Sequence, residues 1–134
     1  MRTKSFLVIA GIAVLLAGRT LVAHHSFSAE FDAQKPFKMT GTVTKVEWMN
    51  PHTFFYIDVK DEKSAKVDNW AMEMGSPNGL MRAGWTRNTM KAGDVVEVEG
   101  SLAKDGSPTG NARSVTLNAT GQRLFAASSQ GTTP

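Results

Sequence analysis

Three histidines, at positions 24, 25 and 52, are the residues of this sequence best suited to chemistry. His24 and His25 directly follow Ala23, a small residue suited to the position before a signal-peptide cut. Cleavage there gives His24 a free α-amine beside its imidazole Nδ1, and His25 adds another nitrogen. His52 follows Asn50-Pro51, a turn signal, and a side chain on a turn can point outward from a rigid scaffold.

These nitrogen donors predict a metal site, with copper as the metal. Copper(II) prefers tetragonal nitrogen ligands and stands at the top of the affinity order of divalent first-row metals. We therefore expect His24, His25 and His52 to bind copper, provided that the chain after His25 folds back toward His52. The alternative is that they are ordinary polar residues, with His52 hydrogen-bonded to a nearby carbonyl. A zinc site of the usual Cys/His spacing is not supported, because the chain has no cysteine.

Methionines are the second candidate ligands, because soft thioethers suit copper(I). Met49 precedes the Asn-Pro turn, whereas Met72 and Met74 share one strand face with Trp70. A methionine stripe on a strand face is more typical of a core, since the flexible side chain fills irregular gaps. The sequence therefore favours core packing for Met72 and Met74.

Motifs for catalysis are lacking, and no catalytic residue is predicted. The sequence has no G-x-S-x-G elbow, no cysteine nucleophile and no phosphate-binding loop. Glu47, Asp58 and Glu73 could meet in space, but carboxylates that alternate along strands usually form a solvated face. An enzyme is the least favoured of the functions considered.

The first 23 residues predict a secretory signal peptide and hence a periplasmic protein. Arg2 and Lys4 precede a 14-residue uncharged run from Ser5 to Gly18. Because a membrane-spanning helix needs about 20 apolar residues, we expect cleavage and no stable membrane anchor, with an uncleaved anchor as the alternative. Three of the 15 basic residues lie in this segment, so the remaining chain carries 12 basic and 12 acidic residues. That balance argues against a nucleic-acid partner.

After the signal peptide, the pattern predicts an arm, one β domain at 37–125 and a flexible tail. The arm covers 24–36 and the tail covers 126–134. The β domain holds five strands, at 37–49, 53–60, 69–75, 95–103 and 112–118. One short helix, from Ser76 to about Gly84, lies between the third strand and the fourth. In the first strand the apolar face switches after Val43, which predicts a β-bulge. Three strands, a helix and two strands is the order of an OB-fold barrel, with a small open sandwich as the alternative. The predicted core includes Trp48, Val96, Val98, Val115 and Leu117.

Four short segments together resemble a domain-of-unknown-function family of small exported bacterial proteins. They are Ala23-His24-His25-Ser26-Phe27, Trp48-Met49-Asn50-Pro51-His52, Gly84-Trp85 and Lys91-Ala92-Gly93-Asp94. The resemblance covers about residues 23–125 and implies a Gram-negative periplasmic setting, but it implies no reaction.

Two functions are therefore open. The first is copper binding by a periplasmic protein, and the second is a non-catalytic binding or assembly module for a periplasmic protein or a small ligand.

Overall fold

The computed structural model describes residues 27–128 of the chain. Within them, residues 27–30 are helical, and six strands and one further helix follow: β1 (Phe31–Glu47), β2 (Phe54–Lys60), β3 (Val67–Glu73), α1 (Pro77–Arg82), β4 (Val95–Ala103), β5 (Thr109–Leu117) and β6 (Arg123–Phe125). The predicted β class is confirmed. The predicted signal peptide, His24, His25 and residues 129–134 lie outside the described residues. No helix within 27–128 has the length and apolarity needed to cross a membrane.

The strands pair in one six-stranded sheet in the order β3-β2-β1-β4-β5-β6. Neighbours in this order are antiparallel, and β3 additionally pairs in parallel with β5, through Ala71–Glu73 and Thr109–Asn111. The five longer strands therefore form a closed circuit of pairings. This circuit brings the end of β3 beside the start of β5.

The long first strand bends as the sequence predicts. Its register against β2 shifts between Val43 and Lys45, which confirms a bulge where the apolar face switches. Gly41 permits close packing here, because a Cβ at this position would lie 2.6 Å from the carbonyl oxygen of Asp58. The strand begins at Phe31 rather than at residue 37, so half of the predicted arm belongs to the sheet. A second register shift accommodates Pro36, as is usual for proline inside a strand.

The core is built from residues of all six strands, together with Leu80 of α1 and with Trp85 and Met90 of the segment that follows it. Val96, Val98 and Val115 are fully buried, as predicted, and Met72 and Met74 are core residues rather than exposed ligands. Trp48 and Leu117 are partly buried and pack against this core rather than lying within it. Trp85 is the deeply buried tryptophan instead, since its indole Nε1 donates to the carbonyl of Phe125 at 2.8 Å and leaves no unpaired polar atom.

The helix between β3 and β4 begins and ends where the sequence indicates. The Ser76 hydroxyl accepts a hydrogen bond from the amide of Gly79, and Pro77 occupies the first helical position.

The sequence predicts five strands, whereas the described residues contain a sixth, β6. Its three residues pair with Ser114–Thr116 of β5, and the middle one, Leu124, is buried. The apolar Leu124-Phe125 pair is too short to show a strand period in the sequence.

Candidate functional site

His52 lies at the entrance to β2, against the residues that follow β3. The next residue, Thr53, holds this region on both sides: its amide donates to the carbonyl of Gly75 at 2.9 Å, and its carbonyl accepts from the amide of Met74 at 2.8 Å. These two bonds continue the β2–β3 ladder past the end of the strands. They fix the backbone next to His52, so that its ring is presented from an ordered position.

The imidazole of His52 is held through one nitrogen. Its Nδ1 lies 3.2 Å from the carbonyl oxygen of Met74 and 3.7 Å from a carboxylate oxygen of Glu73. A carbonyl oxygen can only accept, so Nδ1 carries the proton of this bond and the neutral ring has its lone pair on Nε2. The side chain is 38 % exposed, which leaves the ring accessible. Histidines that bind metals commonly donate their other ring N–H to a carbonyl or carboxylate in this way.

Glu73 is the charged neighbour of His52 and is largely withdrawn from water, with 12 % of its side chain exposed. Burial raises the pKa of its carboxyl above the ordinary value, His52 acts in the opposite direction, and the carboxylate of Glu30 raises the pKa further. Glu30 belongs to helical residues 27–30, so this helical segment and Glu73 interact electrostatically.

The described residues hold only part of the predicted metal site. Within 27–128, no group of three His, Cys, Asp or Glu side chains converges in a way that could hold a metal ion. His52 is presented with a free nitrogen, whereas the other two predicted ligands, His24 and His25, lie outside the described residues. Whether the three histidines meet stays a prediction.

The three carboxylates that the sequence places on alternating strand positions have separate partners. Glu47 accepts from the hydroxyl of Tyr56, and Asp58 accepts from the amide of Asn69 at 2.9 Å, whereas Glu73 faces His52. The Asp58–Asn69 pair is exposed, whereas the Glu47–Tyr56 pair is partly buried. Of the three carboxylates, Glu73 is the one beside a histidine, and that pairing requires the β2–β3 register, which the sequence does not show.

Three residues after β6 complete the surroundings of the site, and sequence reasoning missed them. Residues 126–128, here named the C-terminal strap, lie between β5 and the end of β3. The amide of Ala126 donates to the carbonyl of Arg113, and its carbonyl accepts from the amide of Gly75, each at 2.8 Å. The hydroxyl of Ser128 also donates to the buried side chain of Asn111. The sequence Ala-Ala-Ser carries no signal for such a role, since it equally suits a tail.

A cavity of about 480 Å³ adjoins the helical residues 27–30. Glu30 and Phe31 line one side, and the β4–β5 turn lines the other with Lys104, Asp105 and Ser107. Its lining mixes apolar residues, such as Phe31 and Ala103, with charged ones. This composition is compatible with a small ligand that carries both polar and apolar parts.

The fold and the site define a small β-rich protein that presents one histidine, tied by Nδ1 to the end of a neighbouring strand. The chain belongs to the Family of unknown function (DUF6152), whose model matches residues 13–113. This match confirms the resemblance to an uncharacterised domain family, and it includes all three histidines and Glu73. No curated protein matches the chain.

Proposed function

We propose that this protein is an exported, periplasmic copper-binding protein whose ligands are His24, His25 and His52. The observation that carries the proposal is the bond between His52 Nδ1 and the carbonyl oxygen of Met74. That bond fixes the ring and leaves the lone pair of Nε2 available to a metal, which is the usual state of a ligating histidine.

The remaining donors come from the mature N-terminus. Cleavage after Ala23 creates an α-amine on His24, and this amine with the imidazoles of His24 and His25 forms a nitrogen-rich set suited to copper(II). Two residues, His25 and Ser26, separate His24 from Phe27, and this length of chain spans at most about 11 Å. Phe27, the first described residue, lies three positions before Glu30, whose carboxylate raises the pKa of Glu73.

Charge around His52 favours a cation. Glu73 and Glu30 carry carboxylates close enough to influence each other, and neither forms an ion pair with a lysine or arginine within the described residues. A divalent metal beside them offsets the repulsion between the two carboxylates. Met49, three residues before His52, is 45 % exposed and could add a thioether to copper(I).

We also propose that the scaffold is an OB-fold-like barrel. The closed circuit of pairings, the parallel contact of β3 with β5 and the position of α1 between β3 and β4 support this fold. In such a scaffold the turn before β2 is anchored at both ends, so His52 keeps its position when the N-terminal residues move.

The test is electron paramagnetic resonance of one equivalent of copper(II) on the mature protein, with pulsed detection of coordinated imidazole. We expect signals from imidazoles that include His52, and His52→Ala is expected to remove one of them and weaken binding about 10-fold or more. Asn78→Ala, an exposed change in α1, is the control and should leave the spectrum unaltered. An unchanged spectrum in His52→Ala would remove His52 from the site.

The second candidate function is a non-catalytic binding module, and the cavity beside Glu30 favours it. A volume of about 480 Å³ falls in the range of small-molecule sites. In this reading the cavity holds a small ligand and copper binding is incidental. A thermal-shift screen of periplasmic metabolites would support it if a ligand stabilises the protein and Thr109→Trp, which fills the cavity, abolishes the shift. A ligand shift that survives Thr109→Trp would place the ligand elsewhere.

A further inference from the structure

The connection between β3 and β4 carries positive charge alone. Residues 74–93, here named the basic connection, contain Arg82, Arg87 and Lys91 but no acidic residue, although the chain after the predicted signal peptide has as many acidic as basic residues. All three basic residues are exposed. None of them forms an ion pair within residues 27–128. The charge of the protein is therefore balanced in number but not in position.

Buried apolar residues attach the basic connection to the core at regular intervals. Three of them recur every five residues, and each is at most 3 % exposed: Leu80, Trp85 and Met90. Arg82 and Arg87 each come two residues after one of these anchors, and Lys91 directly follows the last. Because the anchors are held in the core, the basic residues between them are presented to solvent from a fixed backbone.

Arg87 is held by a hydrogen-bonded turn close to Trp48. The amide of Thr86 donates to the hydroxyl of Thr89 at 2.8 Å, and the amide of Thr89 donates to the carbonyl of Thr86 at 3.2 Å. Arg87 and Trp48 line the same small gap in the packing. Since Trp48 is only partly buried, an unpaired arginine and an accessible indole lie close together at this end of the molecule.

The end of α1 supplies a second cation with an apolar neighbour. Met81 is 53 % exposed, although methionine is a residue type that proteins commonly bury, and Arg82 follows it directly. The carboxylates that border the basic connection have other local partners: Glu47 forms an ion pair with Lys45, Glu73 lies beside His52, and Asp94 accepts from the backbone amide of Lys91 at 2.9 Å. The three basic side chains are therefore available to anionic groups outside the molecule.

We propose that the basic connection is a docking surface for a phospholipid bilayer that contains anionic lipid, and that the binding is peripheral and reversible. The guanidinium groups of Arg82 and Arg87 match the geometry of lipid phosphates. An indole such as that of Trp48 suits the boundary between headgroups and acyl chains, and Met81 adds an apolar side chain there. A bilayer supplies phosphate and hydrocarbon together, which is the combination that this surface presents. The proposal goes beyond copper binding and requires no metal.

The test is co-sedimentation of the metal-free mature protein with phosphatidylcholine vesicles that contain about one-third phosphatidylglycerol, compared with vesicles of phosphatidylcholine alone. The first variant removes the three charges of the basic connection: Arg82→Gln, Arg87→Gln and Lys91→Gln together. The matched control removes three charges from exposed positions at the end of β2 and in the turn after it: Lys60→Gln, Lys63→Gln and Lys66→Gln together. Thermal unfolding by circular dichroism verifies that both variants are folded.

We expect the wild type to sediment with the anionic vesicles but not with phosphatidylcholine alone, and to be released as the salt concentration rises. The variant of the basic connection should bind about 100-fold more weakly, because each basic residue near an anionic bilayer contributes about 5-fold. The control should keep most of the affinity. Bilayer binding should also shift tryptophan fluorescence to shorter wavelength, and Trp48→Phe should lose that shift while the protein still sediments.

Equal losses in the two triple variants would show that net charge alone attracts the bilayer, and would overturn the proposal. Absence of sedimentation with anionic vesicles would overturn it as well and would leave an acidic protein as the partner to seek. Because every measurement is made without copper, failure of the protein to bind copper leaves these results unchanged.

Discussion

The carboxylate of Glu73 lies 3.7 Å from Nδ1 of His52 and is largely buried, with the carboxylate of Glu30 nearby. The chain thus buries an acid beside its one described histidine, although burial disfavours the charged carboxylate. Functional sites often contain an acid whose pKa is shifted by burial and by a charged partner, which makes Glu73 a candidate site residue.

Glu73 predicts a pH-dependent effect on stability. Its raised pKa means that the folded state binds a proton more readily than the unfolded state, so the stabilisation is complete below about pH 4.5, the ordinary value, and is lost as pH rises through the raised pKa. Glu73→Gln cannot ionise and therefore avoids this loss of stability. The melting temperature of Glu73→Gln should exceed that of the wild type near pH 8 but not at pH 4. Thermal unfolding followed by circular dichroism measures the difference.

Glu62→Gln, in the exposed turn after β2, is the matched control and should change the melting temperature little at either pH. A melting temperature of Glu73→Gln that falls below the wild type at pH 8 would mean that the ionised carboxylate is stabilising, in conflict with the direction of its pKa.

Trp85, in the core, and Trp48, which packs against the core, predict unequal losses of stability. Trp85 is 3 % exposed and donates to Phe125, so Trp85→Ala should lower the free energy of unfolding by about 3–5 kcal/mol. Trp48→Ala should cost clearly less, because Trp48 is only partly buried. Urea unfolding monitored by far-ultraviolet circular dichroism compares the two. Equal losses would contradict the burial that distinguishes them.

Much of the fold could be predicted from local patterns. Residue types whose backbone preferences act over a few positions predict three features: the bulge after Val43, the helix that begins at Ser76-Pro77 and the turn at Asp105-Gly106. The choice between Trp48 and Trp85 could not be made in this way. It depends on whether an indole N–H finds a carbonyl 40 residues away in sequence.

The candidate site was predictable in part for the same reason. The type of His52 and its position after Asn50-Pro51 predict a presented side chain, and the contact to Met74 agrees with the alternative in which its ring hydrogen-bonds a nearby carbonyl. Glu73 and the strap were not identified, because their relation to His52 arises only when β3, β5 and the C-terminus meet.

Export predicts a defined N-terminus. Expression of the full chain in a Gram-negative host should yield a periplasmic protein that lacks residues 1–23 and begins at His24, since the short apolar run is typical of a cleaved signal peptide. Intact-mass measurement of the periplasmic fraction reads the cut directly. Ala23→Phe, which puts a large residue before the cut, should accumulate the uncleaved chain. Uncleaved wild-type chain in the inner membrane would show that the segment is an anchor and that His24 has no free amine.

The most direct measurement of the central claim is the copper(II) affinity of the mature protein beginning at His24 against the same protein with that α-amine acetylated. Acetylation converts the α-amine into an amide and removes a nitrogen donor without supplying a new amine, and it leaves every side chain in place. We predict that the acetylated protein binds copper(II) at least about 10-fold more weakly in a competition titration. Equal affinities, together with an unchanged affinity of His52→Ala, would contradict the assignment of the N-terminus and His52 as one copper site.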